Sequence, residues 1–91
     1  MAYTNQNQRL LLHALLKGLD GAVRSNDESA ADRYRVRISL IAGHFETNRP
    51  ISDALERLLC ASAQWLGTKV AERYESEQEV LRLIEQVIRF L

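Results

Sequence analysis

Ninety-one residues make one domain, 1–91, at the small end of the usual size range. Hydrophobic residues at 46%, charged residues at 26% and a single proline describe a folded chain and exclude a disordered tail. Twelve basic residues balance twelve acidic ones, which excludes a global field drawing the chain to nucleic acid or an anionic membrane; only a local patch could do that.

The first predicted helix spans about 5–24, with Thr4 or Asn5 as its capping side chain. Leu10, Leu11, Leu12, Leu15, Leu16, Leu19, Ala22 and Val23 cover most of its circumference, leaving Arg9, His13, Lys17, Asp20 and Arg24 as a narrow wet stripe. Such a helix is buried on several sides or offers a second apolar face to a partner. Gly18 and Gly21 either admit close packing or end the helix early.

Ser25 and Glu28 have capping-box spacing and open a second helix over about 27–46. Ala30, Ala31, Tyr34, Ile38, Ile41, Ala42 and Phe45 share one arc of roughly 120°. From Arg33 to Leu40 the chain also alternates as a strand would, but the helical pattern is the longer of the two.

Thr47-Asn48-Arg49-Pro50 is the clearest break. A third helix follows over about 51–75, its face built from Ile51, Ala54, Leu55, Leu58, Leu59, Ser62, Trp65 and Leu66, drifting to Val70 and Tyr74. Ser76 and Glu79 repeat the capping-box spacing ahead of a fourth helix over about 77–91. No glycine or proline lies between Thr68 and Leu91, so the last two helices equally read as one long bent helix. The fold class is all-α, a small bundle of three to four helices.

Chemistry is scarce along this chain. Cys60 is the lone cysteine, flanked by Leu59 and Ala61 as a packing residue would be, and no disulfide can form within the chain. His13 and His44 stand 31 positions apart with no ligand-like pairing, and the four glycines make no phosphate loop. Glu72, Glu75, Glu77 and Glu79 read as a solvated acidic surface. The stretch from Ala63 to Glu75 has a helix-turn-helix flavour, but its turn is too short and lacks an anchoring apolar residue after Gly67. No catalytic residue, metal site or cofactor is expected, and the chain is expected not to be an enzyme.

Two features remain. One is surplus apolar surface, assigned to Leu11, Leu15, Leu83, Ile84, Val87 and Phe90 as a partner interface. The other is the run Arg33, Arg35 and Arg37, which on a strand would line one face as a phosphate rail and on a helix would split. The expected function is a helical protein-binding module acting as adaptor, chaperone or inhibitor of another protein, as a homodimer. The alternative is a small dimeric nucleic-acid-binding transcriptional regulator using the arginine cluster. The polar N-terminal stretch lacks a signal pattern, and the run from Leu10 to Leu19 is too short to span a bilayer, so a cytoplasmic protein without a membrane partner is expected.

Overall fold

The computed structural model describes residues 4–91, with side chains from residue 6 onward. Four helices form: α1 (Thr4–Arg24), α2 (Glu28–Ala42), α3 (Arg49–Gly67) and α4 (Tyr74–Phe90), with single 3-10 turns at Gly43–Phe45 and Val70–Glu72. Among the described residues, no helix is long and apolar enough to cross a membrane. The capping side chains expected of Thr4 or Asn5 lie outside the described side chains.

Each helix runs antiparallel to the next and α1 closes the ring against α4. Gly18 of α1 meets Tyr34 of α2, Arg35 of α2 reaches Ser62 of α3, and Arg9 of α1 donates to the Leu91 carbonyl at the end of α4 at 3.1 Å. Two hairpins, α1–α2 and α3–α4, therefore pack side by side. A Cβ on Gly18 would collide with the Tyr34 ring, so this glycine permits the close approach of the first hairpin; a Cβ on Gly21 would meet nothing.

Periodicity placed the core correctly along α2 and α3. Ala31, Ile38, Ile41 and Phe45 are buried, with Ala30, Tyr34 and Ala42 half-buried at their flanks, so residues 33–40 are helix and no strand forms among the described residues. Ile51, Ala54, Leu55, Leu58, Ser62 and Trp65 bury the inner face of α3. Val80, Leu83, Ile84 and Val87 do the same for α4. Burying each such aliphatic side chain favours the fold by about 1.5–3 kcal/mol.

The caps differ from expectation. Asn26 adopts φ 57°, and the Asp27 and Asn26 amides donate back to the Ala22 and Val23 carbonyls at 2.8 and 3.1 Å, a Schellman ending for α1. Ser25 is left behind that turn, its hydroxyl donating to the Gly21 carbonyl at 2.8 Å, so it caps α1 and not α2. Asp27 caps α2 instead, accepting from the Ala30 amide at 3.1 Å. Helix α3 starts two residues earlier than expected, because Asn48 accepts from the Ile51 amide at 3.4 Å and Pro50 sits in the first turn, where a missing N–H costs nothing.

The long-helix alternative for the last two helices is overturned, and so is the continuation of α3 to residue 75. Thr68 and Lys69 are extended, with φ, ψ of −96°, 143° and −61°, 141°. Val70 and Tyr74, expected on the inner stripe, are 59% and 75% exposed. Arg73 is the physical cause of the break. Its guanidinium donates to the Thr68 and Leu66 carbonyls at 2.9 and 3.2 Å, satisfying the C-terminal end of α3 from beyond the turn. Helix α4 then begins at Tyr74 without the expected Ser76 cap.

Candidate docking groove

Helices α1 and α2 leave an open cleft of about 330 Å³ on their outer side, lined by Gln8, Leu11, Leu15, Arg37, Leu40, Ile41 and His44. Leu15 and Ile41 form its floor, at 7% and 5% exposure. Leu11 and Leu40 form its lips, at 51% and 75% exposure, and Val36 continues the apolar surface one turn back along α2. Large aliphatic side chains clustered at this exposure are the kind of surface a partner covers.

The groove carries one sign of charge. No carboxylate occurs between Arg33 and Phe45, so the outer face of α2 presents Arg33, Arg37 and His44 beside Val36 and Leu40. Ion pairs among the described residues occupy Arg24, Arg35, Arg73, Arg82 and Arg89, and neither Arg33 nor Arg37 enters one. Arg33 donates only to the Ser29 hydroxyl, one turn away, at 3.2 Å.

Arg35 stands apart from its neighbours in the run. Its Nε donates to the Ser62 hydroxyl at 2.9 Å and one Nη lies 3.4 Å from the Leu59 carbonyl, so the side chain is folded inward against α3. The expected rail of three arginines is thus reduced to Arg33 and Arg37, one helical turn apart. The Ser62 hydroxyl is also satisfied within its own helix, donating to the Leu59 carbonyl at 3.0 Å, so its place in the apolar stripe does not by itself point to Arg35.

The expected apolar interface is divided by the fold. Leu15, Leu83, Ile84 and Val87 are buried inside the bundle at 7%, 2%, 1% and 0% exposure, so they are core and not open surface. Leu11 and Phe90 remain on the surface, Phe90 at 42%, but Phe90 does not line the groove. A ring of four helices gives the C-terminal helix two neighbours, and its apolar face is consumed by them. Leu40, the most exposed aliphatic side chain of the groove, lies off the inner arc of α2 that the periodicity picks out.

Polar side chains elsewhere do not converge. His44 lines the α1–α2 groove, whereas Cys60, which is exposed, lines a cleft between α3 and α4 with Glu56, Arg57, Gln64, Glu79 and Leu83. No group of three histidine, cysteine or acidic side chains is placed to hold a metal among the described residues. Glu72, Glu75 and Glu79 line a further cleft along α3 and α4, and the Arg82 hydrogen bond holds the Glu79 carboxyl below its ordinary value.

Comparison with known proteins brings no match: no family model, curated protein or solved structure aligns significantly with this chain.

Proposed function

We propose that this chain is a non-enzymatic helical protein-binding module, acting as an adaptor, chaperone or inhibitor, and that the α1–α2 groove is its docking surface. The observation that carries the reading is the exposure of Leu11 and Leu40 on either side of an apolar cleft floored by Leu15 and Ile41. A well-packed small bundle loses hydrophobic free energy by leaving such side chains in water, and recovers it when another protein covers them. Leu83, Ile84 and Val87 of α4 are spent on the core, whereas the groove keeps exposed aliphatic side chains on both of its lips.

The test is an affinity capture from cell lysate with the wild-type chain and with Leu40→Glu, each with and without nuclease. A stoichiometric protein held by the wild type and released by Leu40→Glu, with the helical signal unchanged, supports the reading. A partner retained equally by the variant removes the groove from it.

A nucleic-acid-binding regulator is the second reading, favoured by Arg33 and Arg37 standing without ion pairs among the described residues, on a stretch of α2 that carries no carboxylate from Arg33 onward. Two phosphate contacts give only a shallow fall of affinity with salt, so a steep salt dependence would demand further basic residues.

A further inference from the structure

We infer that the segment seated in the groove is an acidic amphipathic helix of a partner protein, an inference that rests on the docking reading above. Two features of the groove select this occupant over others.

Shape comes first. The cleft lies between two antiparallel helices and runs for about two turns, from Gln8 to Leu15 on one side and Arg37 to His44 on the other, with Leu11 and Leu40 as its lips. A helix laid along such a cleft presents apolar side chains at i, i+3, i+4 and i+7 to its floor, the helix-in-groove mode of recognition.

Charge comes second. Arg37 and His44 are the ionisable residues of the lining, and Arg33 extends the cationic edge one turn further. Desolvating Arg37 beneath a partner without an opposite charge is unfavourable, so the occupant brings a carboxylate to it. An Arg–carboxylate contact can be bidentate, which also fixes the register of the docked helix.

The competing occupants fit less well. A nucleic acid offers phosphates to Arg33 and Arg37 but no aliphatic side chain for the cleft, and Arg35 is turned away to Ser62. A second copy of this chain offers Val70 and Tyr74 beside Glu72 and Glu75 as its exposed apolar and acidic surface. Those residues straddle a 3-10 turn and the first residue of α4, so they do not form a continuous helical ridge.

The test is a phage-displayed library of 18-residue amphipathic helices with a fixed leucine ridge and randomised flanks. It is selected on the wild-type chain after depletion on Leu40→Glu. Enriched helices should carry Glu or Asp beside the ridge and shift the amides of Leu11, Arg37, Leu40 and His44 in heteronuclear NMR. Arg37→Gln should weaken their binding about tenfold, the value of a charge-assisted contact. Enrichment of neutral or basic flanks, or no enrichment at all, overturns the inference. So does concentration-dependent self-association of the free chain that Leu40→Glu abolishes, because the occupant is then a second copy. Displacement of the selected helix by a duplex oligonucleotide at the same amides assigns the face to nucleic acid and overturns it too. If Leu40→Glu releases a lysate partner while the library yields nothing acidic, the docking reading stands and the acidic helix alone falls.

Discussion

The guanidinium of Arg73 lies 4.3 Å from the centre of the Trp65 ring, and the same group bridges both hairpins of the bundle. Besides the two carbonyls at the end of α3, it donates to Asn26 Oδ1 at 2.7 Å and pairs with Glu28 at 2.9 Å. Asn26 and Glu28 belong to the α1–α2 junction, Trp65 to α3, and Arg73 itself to the approach to α4. One buried side chain therefore ties the two helix turns at this end of the molecule together.

Replacing Arg73 with Met should cost about 2–4 kcal/mol, because it strips donors from two half-buried carbonyls and from Asn26 and removes the partner of Glu28. Lysine should recover less than half of that, since a single ammonium cannot match the planar fork that reaches four acceptors at once. Urea unfolding gives the energies, and the emission of Trp65, the sole tryptophan, gives the local structure. A red shift in Arg73→Met before global unfolding would show the turn opening around the indole. An unchanged midpoint would mean that the α3–α4 break is held by something else.

This junction also marks the limit of what the sequence discloses. Ile51 to Trp65 was legible because one face repeats at helical spacing over four turns, and nothing outside the segment is needed to see it. The break after Gly67 was not, because every residue from Lys69 to Tyr74 tolerates a helix and the stripe continues at near-heptad spacing. What ends α3 is a hydrogen-bonded contact from Arg73, a tertiary fact without a local signature. The burial of Leu83, Ile84 and Val87 was hidden for a similar reason. Their apolar face is obvious in the sequence, but whether two neighbouring helices or a partner covers it depends on how the hairpins are arranged.

The two glycines of α1 should respond differently. Gly21→Ala meets no atom and gains helix propensity, so it should stabilise the fold by about 0.5–1 kcal/mol. Gly18→Ala gains the same propensity but drives a methyl into the Tyr34 ring, which must swing away from the first hairpin. Tyr34 is half-buried and meets Gly18 with the far end of its ring, so the cost is that of turning the ring outward, and Gly18→Ala should be less stable than Gly21→Ala. Thermal unfolding of both variants, and of Gly18→Ala combined with Tyr34→Ala, measures this. A Gly18→Ala protein as stable as Gly21→Ala would contradict the close packing.

The three arginines of α2 should separate by stability. Arg35→Ala removes the donors to the buried Ser62 oxygen and the Leu59 carbonyl, while the Ser62 hydroxyl keeps its own bond to Leu59, and should cost about 0.5–1.5 kcal/mol. Arg33→Ala and Arg37→Ala touch no buried group and should stay within about 0.5 kcal/mol of the wild type. Chemical denaturation of the three variants under one buffer decides it. Equal costs at all three positions would mean that Arg35 is not anchored to α3.

Glu79 and Arg82 give a pH test on the opposite side of the bundle, where Nη2 of Arg82 meets a Glu79 carboxylate oxygen at 2.7 Å. The hydrogen bond lowers the Glu79 value, so the native state favours the ionised form more than the unfolded chain does. The contribution is present at neutral pH and is lost as pH falls through the carboxylate range. Both groups are largely exposed, so the effect is small and shrinks with salt. The melting temperature of the wild type should exceed that of Glu79→Gln at pH 7 and converge with it near pH 3. A gap that widened on acidification would reverse the assigned sign.

Leu40 and Leu83 make the sharpest contrast between surface and core. Leu83 is 2% exposed on the inner face of α4, and Leu83→Ala should cost about 2–5 kcal/mol through lost transfer energy and the cavity left behind. Leu40 is 75% exposed, so Leu40→Glu loses little burial and adds a helix-compatible charge; its stability should lie within about 0.5 kcal/mol of the wild type. The two variants should therefore behave inversely in urea unfolding and partner capture. Leu83→Ala lowers stability yet, while folded, leaves the groove and its partner in place. Leu40→Glu keeps stability and removes the partner, because a carboxylate at the lip cannot be covered by an apolar, acidic segment. A marked loss of stability in Leu40→Glu would place this leucine in the folded core and leave the groove without its outer lip.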